Sequence, residues 1–230
     1  MKIALCLTGL VGTDDKYGIG SKTINYKIGQ KHFKKHVIDV NDEVDVYLHS
    51  WSTEYEERLL DVYSPVSYEF EEQPFFSNDP RQQAIHCRWL SMKKVMELVK
   101  QGGKQYDFIL FTRFDIAFLV DFDFKMYDNS KFYAQGPIGP YQNGIQLIND
   151  LWFFASPEKI FKFSTLFDHL GTSEYIPYLG SNHELCRKHL INTGLQDDLE
   201  YIFKREWNGS MGKITTDTPL VRWHYLGKIS

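Results

Sequence analysis

Short apolar runs alternate along the chain with longer stretches whose apolar residues recur every three or four positions. Runs of strand length are found at 2–7, 44–49, 66–70, 108–111, 131–135, 151–155 and 220–223. Helical spacing is found at 27–40, 53–60, 157–169 and 181–193. Strands that alternate with helices predict a mostly parallel central sheet with helices on both faces. The expected fold class is therefore α/β.

The strongest helix prediction lies just before the apolar run at 108–111. Asp79 supplies an N-terminal cap, Pro80 fits the first helical position, and Gly102 ends the pattern. Between these residues, apolar side chains form one stripe at helical spacing. Arg88 lies on this helix, ahead of the strand that follows.

The composition indicates one globular domain over residues 1–230. The chain is 43% hydrophobic and 24% charged, which is close to the average of folded domains. Its formal net charge of −4 disfavours a general nucleic-acid partner. Three cysteines without metal-ligand spacing predict free thiols. No apolar stretch is typical of a signal peptide or a membrane span, so we expect a cytoplasmic protein.

Polar and small residues directly follow three of the predicted strands. These strand ends carry Thr8 and Gly9, then His49 and Trp51, and finally the segment 112–115. Ligands of open α/β sheets bind outside the carboxyl ends of the strands. Because parallel strands present these ends at one edge, we expect the residues to converge there.

Arg113 and Asp115 are the sharpest functional signal in the sequence. A carboxylate at the end of a buried strand is costly to desolvate unless it is paired or bound to a metal. Asp115 could hold Mg²⁺ or Mn²⁺, since both ions prefer oxygen ligands. Arg113 points the same way on an extended chain, so it could contact a phosphate or Asp115 itself. A purely structural Arg–Asp pair is the alternative.

Four blocks of the sequence resemble a group of small glycosyltransferase-like proteins from large DNA viruses and bacterial polysaccharide loci. The blocks are Leu7–Gly9, Asp45–Trp51, Tyr106–Asp115 and Asn149–Ser156. The resemblance covers most of residues 2–225 and implies the GT-A architecture, a Rossmann-like sheet that binds a nucleotide sugar. It also implies a nucleotide-sugar-binding half at about 1–125 and a small acceptor-binding half at about 126–230.

The resemblance further implies which residues bind the donor, a nucleoside-diphosphate sugar. The nucleotide-sugar-binding residues would be Thr8, Gly9, His49, Trp51, Arg88, Arg113 and Asp115. GT-A enzymes hold Mn²⁺ or Mg²⁺ with an Asp-x-Asp motif after the fourth strand, and many add a histidine near the C-terminus. Here Arg113 replaces the first aspartate and could supply part of the cation's charge, so Asp115 and His224 are the expected metal ligands. A literal Asp-x-Asp at 121–123 lacks the strand end and is interpreted as a turn.

Asp150 is the first candidate for the catalytic base. An inverting transfer needs a carboxylate to deprotonate the acceptor hydroxyl, while a cation offsets charge on the leaving diphosphate. Similar enzymes carry an acceptor-facing acid in the context of Asp150. Glu184 is the competitor, although a carboxylate in the first turn of a helix is also ordinary capping. The expected acceptor is a carbohydrate or glycan hydroxyl, in surface or capsid glycan synthesis and, for a viral protein, in the host cytoplasm.

Two other functions stay open on the residues. The missing first aspartate is compatible with a non-catalytic protein that binds a nucleotide sugar or a glycan. A nucleotidyltransferase would need a second strand-end carboxylate beside a basic pocket, and the sequence offers no convincing set. Nucleophilic catalysis is poorly supported, because the chain has neither a Gly-x-Ser-x-Gly elbow nor a Walker loop.

Overall fold

The computed structural model of the chain describes residues 1–11, 26–142, 145–202 and 220–222. Its strands are β1 (Lys2–Gly9), β2 (Glu43–Ser50), β3 (Ser67–Phe70), β4 (Phe108–Arg113), β5 (Ile116–Phe118), β6 (Phe132–Ala134), β7 (Pro137–Gln142), β8 (Ile145–Ile148), β9 (Phe153–Ala155), β10 (Leu199–Tyr201) and β11 (Leu220–Arg222). Its α-helices are α1 (Tyr26–Phe33), α2 (Glu56–Tyr63), α3 (Pro80–Gln101), α4 (Pro157–Phe163), α5 (Leu166–His169) and α6 (Asn182–Asn192). The predicted α/β class is confirmed.

Seven strands form the central sheet, in the order β10–β6–β9–β4–β1–β2–β3. Neighbouring strands are parallel except around β9, which runs antiparallel to both β4 and β6. The sheet is therefore mixed but mostly parallel, with helices on its faces, and it is compatible with a Rossmann-like fold. At this level the sequence prediction is confirmed.

Successive side chains of β1 point to opposite faces of the sheet, and both faces are covered. Ala4 and Cys6 pack in one cluster with residues of α3, whereas Ile3, Leu5 and Leu7 pack with residues of α1 and α2. All five side chains are fully buried. A strand covered on both faces needs apolar residues at every position, which is why residues 3–7 show no alternation.

Helix α3 begins and ends where the sequence predicted. The Asp79 side chain accepts hydrogen bonds from the N–H groups of the first turn, and Pro80 occupies the first helical position. At the other end, the Gly102 N–H donates to the Leu98 carbonyl. The helix packs across β1 and β2, so its inner face reaches the central strands. Neither α3, with 22 residues, nor any other described helix is both long and apolar enough to cross a bilayer.

The chain changes direction across the sheet between β3 and β4. It passes from β1 to β2 and β3 on one side, and then returns to place β4 on the other side of β1. Ligands of open α/β sheets bind at such a switch point, outside the carboxyl ends of the two strands. Since β9 is antiparallel to β4, with Phe153 opposite Phe111, the segment before β9 lies at this same edge. This edge of the sheet therefore contains residues 8–9, 112–115 and 149–152.

Some smaller elements differ from the sequence prediction. The strand expected at 220–223 is β11, but it pairs antiparallel with β5 in a separate two-stranded sheet. The hairpin of β7 and β8 and the edge strand β10 have no counterpart in the predicted elements. The helix expected at 27–40 is α1 followed by a π-helical turn at Lys34–Ile38.

Candidate functional site

One residue from each of four adjacent strands lines up at the carboxyl edge of the sheet. Thr8 is the register partner of both His49 and Arg113, and His49 is also the partner of Glu69. Register partners in a parallel sheet project to the same face, and adjacent strands lie about 4.8 Å apart. The four residues therefore form a row along the edge.

Helix α3 presents three polar residues to this row, spaced three positions apart. The Ser91 hydroxyl lies 2.7 Å from Nδ1 of His49, and Nζ of Lys94 lies 3.0 Å from Oε1 of Glu69. Arg88, the third residue, reaches the segment before β9. Residues three apart lie on one face of a helix. A single helix face thus supplies the polar partners for most of the edge.

Arg113 and Asp115 form a two-pronged ion pair after the end of β4. Nε and Nη2 of Arg113 donate to the two carboxylate oxygens of Asp115, each over 2.6 Å. Asp115 is 2% exposed, whereas the Arg113 side chain is 26% exposed. Burial disfavours the charge on Arg113, but Asp115 outweighs this effect and raises the pKa of the guanidinium. The sequence left two partners open for Arg113, a phosphate or Asp115, and in the structure Arg113 contacts Asp115.

Asp115 does not offer a ready site for Mn²⁺ or Mg²⁺. Arg113 engages both of its oxygens, and a guanidinium beside them repels a divalent cation. A cation could coordinate Asp115 only after Arg113 had turned away. The second expected ligand, His224, lies outside the described residues. The role of Asp115 and His224 as metal ligands stays a prediction.

Arg88 and Asp150 form a second ion pair at this edge, and it is buried. Nε of Arg88 lies 3.0 Å from Oδ2 of Asp150, and Nη2 donates to the backbone carbonyl of the same residue. Each side chain is only 8% exposed. Burial lowers the pKa of Arg88, and Asp150 counteracts this shift. We refer to Arg88, Arg113, Asp115 and Asp150 as the arginine cluster.

His183, at the start of α6, contacts the other carboxylate oxygen of Asp150. Its Nδ1 atom lies 3.2 Å from Oδ1 of Asp150 and 3.0 Å from the carbonyl oxygen of Ile148. The His183 side chain is 33% exposed. Glu184, the other candidate base, lies in the same turn, where its N–H donates to the Ser181 side chain in a helix cap. The structure thus joins Asp150 to a histidine for which the sequence indicated no role.

Thr8 and Gly9 form the end of β1 at the switch point. The buried Thr8 hydroxyl donates to the Thr112 carbonyl over 3.2 Å. Gly9 has a φ of +108°, which residues with a side chain rarely adopt, and its carbonyl accepts a hydrogen bond from the Ser50 hydroxyl. Within the described residues, a Cβ added at Gly9 would meet no atom within 4 Å. None of the described residues therefore blocks the close approach of a ligand to the backbone at this point.

A second charged group lies where β2 and β3 end, and we call it the β2–β3 cluster (His49, Glu69, Glu71 and Lys94). Nε2 of His49 lies 3.1 Å from Oε1 of Glu71. Nζ of Lys94 lies 3.0 Å from Glu69 and 3.3 Å from Glu71. His49 is fully buried, whereas the side chains of Glu69 and Glu71 are 36% and 33% exposed. Burial lowers the pKa of His49, and Glu71 opposes this shift.

The β2–β3 cluster has the donor set of a divalent-cation site. One ring nitrogen of His49 and one carboxylate oxygen each of Glu69 and Glu71 lie within 4.8 Å of one another. Imidazole and carboxylate groups suit Zn²⁺ and Mn²⁺. Because the Lys94 ammonium contacts both carboxylates, a metal ion would have to displace it. The signal missed in the sequence is the spacing of Glu69 and Glu71, which puts both on one side of an extended chain.

Two further candidates, Trp51 and the Asp-x-Asp segment at 121–123, make contacts with neighbouring residues of the fold. Trp51 packs edge-on against His49, with ring centroids 4.5 Å apart, and it is 6% exposed. Its role as a nucleotide contact stays a prediction. In the Asp-x-Asp segment, Asp121 pairs with His36 over 2.6 Å, and the Asp123 side chain caps a 3₁₀ turn. These contacts agree with the interpretation of that segment as a turn.

Comparison with known proteins identifies no family for this chain. No protein-family model matches it, and no curated protein matches it. The resemblance to GT-A glycosyltransferases therefore stays a prediction from short sequence motifs, and the mostly parallel sheet is compatible with a Rossmann-like fold. The function has to be inferred from the chemistry of the residues at the sheet edge.

Proposed function

We propose that the protein is a GT-A-type glycosyltransferase that moves a sugar from a nucleoside-diphosphate donor to a carbohydrate hydroxyl. The observation that carries the proposal is the arginine cluster at the carboxyl edge of the switch point. Taking charges out of water is costly, and a buried ion pair is weak support for stability. Charged groups with perturbed pKa values in such a position are typical of functional sites. A position outside the ends of β1 and β4 is where an α/β sheet binds a nucleotide.

The donor would bind with its diphosphate near Arg113. This guanidinium is the more exposed member of its ion pair and stays positively charged, so it suits a phosphate oxygen. Gly9 leaves space for the nucleotide to approach the backbone at the end of β1. Arg113 would then draw the leaving diphosphate away from the sugar as negative charge develops.

A bound Mn²⁺ or Mg²⁺ would offset charge on the leaving diphosphate. The donor set at Asp115 does not fit such an ion while Arg113 occupies both carboxylate oxygens. In the proposed reaction, Arg113 therefore provides the positive charge at this position. Metal dependence is an outcome to be measured.

Asp150 is the better of the two candidate acids for the acceptor side. It lies in the segment before β9, at the same edge as Arg113, and it is held between Arg88 and His183. A fixed carboxylate is better suited to directing a proton transfer than a solvated one, because its geometry does not have to be reorganised during the reaction.

A second function is favoured by one observation, the closed Arg113–Asp115 pair. A protein that binds a nucleotide sugar or a glycan without turnover needs no cation at Asp115. Such a protein would show saturable donor binding without release of nucleoside diphosphate.

A thermal-shift screen tests the proposal. UDP-, GDP-, dTDP- and CMP-sugars are added with and without Mn²⁺, and one donor class is expected to raise the melting temperature. A ligand present at about 100 times its Kd stabilises the native state by about 2.7 kcal/mol. The donor-induced rise should disappear in Arg113→Gln and persist in Arg58→Gln, which removes an exposed arginine on α2. If none of the donors changes the melting temperature, the proposed function is wrong.

Donor hydrolysis then separates the enzyme from the binding protein. Nucleoside diphosphate released from the stabilising donor is measured over time. Release by the wild-type protein, lost in Asp150→Asn, supports a transferase. Binding without release supports the non-catalytic alternative.

A further inference from the structure

The contacts of His183 fix which of its ring nitrogens carries the proton. Nδ1 faces two acceptors, the carbonyl oxygen of Ile148 at 3.0 Å and a carboxylate oxygen of Asp150 at 3.2 Å. A carbonyl oxygen cannot donate a hydrogen bond, so Nδ1 must carry the hydrogen and donate. In the neutral ring, Nε2 is then left with its lone pair. The arrangement therefore makes Nε2 a proton acceptor.

The two members of this pair differ in how easily a substrate can reach them. The Asp150 side chain is 8% exposed and also engages Arg88, whereas the His183 side chain is 33% exposed. An acceptor hydroxyl would reach the imidazole more easily than the carboxylate. A buried carboxylate behind Nδ1 holds the ring in one tautomer and stabilises the imidazolium that forms when Nε2 takes up a proton.

We propose that His183 is the general base of the reaction and that Asp150 is its positioning residue, an inference that rests on the proposed function. Nε2 takes the proton of the acceptor hydroxyl while the acceptor oxygen forms a bond to the anomeric carbon of the donor. The bond from that carbon to the diphosphate breaks, and the electron pair leaves with the diphosphate toward Arg113. The imidazolium then returns its proton to water.

The groups around the imidazole are consistent with this assignment. α6 packs against β8, which has no ionisable side chain, and against the 3₁₀ turn at Ile176–Tyr178, whose ionisable group is a tyrosine. It also packs against the 3₁₀ turn at Gln196–Asp198, whose two aspartates follow the C-terminal end of the helix, whereas His183 lies at its start. Arg88 is the other partner of Asp150, and it interacts in turn with Arg113, Asp115 and Cys186. Glu184 follows His183 along α6. Burial raises the pKa of Cys186 far above its ordinary value, so the thiol is protonated and does not compete as a base.

The variant His183→Asn separates the base from its structural contact. The asparagine amide nitrogen replaces Nδ1 and can still donate to Ile148, but nothing replaces Nε2. Donor hydrolysis, in which water takes the place of the acceptor, should fall by about 10²–10⁴-fold. The donor-induced rise in melting temperature should be unchanged. Added imidazole should restore part of the activity of His183→Ala, which a purely structural role would not allow.

A matched control comes from a second histidine with the same type of backbone contact. Nδ1 of His86, on α3, lies 2.8 Å from the Gln82 carbonyl oxygen, and its ring stacks on Phe76. His86→Asn should hydrolyse the donor at the wild-type rate. If His183→Asn also hydrolyses it within about threefold of wild type, the base assignment is wrong while the proposed function stands.

The tautomer of His183 tests the inference without any activity. Long-range ¹H–¹⁵N spectra of the wild-type protein should show the hydrogen of this ring on Nδ1 at neutral pH. A hydrogen on Nε2 would overturn the assignment even in an active enzyme. Failure of every donor to bind or to be hydrolysed would overturn the proposed function, and the base assignment with it.

Discussion

The arginine cluster and the β2–β3 cluster lie at the same edge of one sheet and draw on the same helix, yet their charges are held differently. In the arginine cluster, the side chains of Asp115 and Asp150 are 3% and 8% exposed, and each pairs with a guanidinium. In the β2–β3 cluster, the two glutamates are about one-third exposed and share one ammonium group. We expect the first cluster to keep its ion pairs and the second to be able to exchange the ammonium group of Lys94 for another cation.

The difference follows from the side chains involved. A guanidinium is planar and offers paired donors that match the two oxygens of a carboxylate, whereas an ammonium is a compact charge on a flexible chain. Removing one partner of a buried pair leaves the other charge uncompensated, while an exposed charge is screened by water. We therefore expect the arginine cluster to be pre-organised and the β2–β3 cluster to be adaptable.

The largest expected effect tests how strongly the arginine cluster depends on pairing. Asp115→Asn keeps the shape of the side chain but leaves Arg113 without its counter-charge. We expect the free energy of unfolding to fall by about 3 kcal/mol, measured by urea denaturation. The control is Asp42→Asn, in which an exposed carboxylate loses its charge. Asp42 pairs with the N-terminal ammonium group and with Lys125, and the side chains of Asp42 and Lys125 are both 53% exposed. An equal loss of stability in both variants would contradict the contrast between buried and exposed pairs.

A second effect on stability appears only at acid pH and concerns the charge of buried histidines. His49 has Glu71 beside it, whereas the ring nitrogens of His189 contact the hydroxyls of Tyr175 and Thr165. Burial lowers the pKa of His189 to about 4, with His169 adding to the shift. The unfolded chain binds this proton near pH 6.5, so the folded state loses stability as the pH falls from about 6.5 to about 4.

The pH dependence can be assigned to these histidines by mutation. The loss due to His189 should reach about 3 kcal/mol at the acid end of this range. Urea unfolding at a series of pH values should show a flatter dependence for His189→Gln than for wild type. His49→Gln should flatten it less, because Glu71 opposes the shift at His49. Equal flattening in the two variants would show that the carboxylate has no influence.

The smallest expected effect is a change in the affinity of the β2–β3 cluster for Zn²⁺. Lys94→Gln removes the ammonium group that a metal ion must displace, so Zn²⁺ should bind about fivefold more tightly than to wild type. Isothermal titration calorimetry with Zn²⁺ measures the change. Lys93→Gln is the matched control, because Lys93 is the neighbour of Lys94 on α3 and pairs with Asp168 instead of the two glutamates. Equal affinities in the two variants would mean that Lys94 does not compete, and the absence of binding would exclude a Zn²⁺ site.

The main elements of the fold could be predicted because their signals are local. The run at 2–7 and the cap at Asp79 each indicate their element without reference to distant residues. The antiparallel direction of β9 could not be predicted, because its apolar side chains fit either direction of a buried strand. The pairing of β5 with β11 joins residues about a hundred positions apart, so the strand predicted at 220–223 gave no indication of its partner.

The sequence predicted which residues belong to the candidate site better than it predicted the contacts between them. Arg113 and Asp115 were found because they follow a buried strand, but their spacing allowed Arg113 to face either a phosphate or Asp115. The position of His183 beside Asp150 depends on where α6 packs, which is a tertiary property. The β2–β3 cluster could be predicted only if Lys94 were recognised as a residue of α3 that faces the sheet. The sequence does not indicate this, because lysine side chains are usually exposed.

The reversed direction of β9 also sets the order in which the site can be completed during synthesis. Arg88 emerges from the ribosome 62 residues ahead of Asp150, and His183 follows later still. Until the segment before β9 has been synthesised, the guanidinium of Arg88 has no Asp150 carboxylate with which to pair. A nascent chain that stops short of this segment therefore contains Arg88, Arg113 and Asp115 without Asp150 and His183.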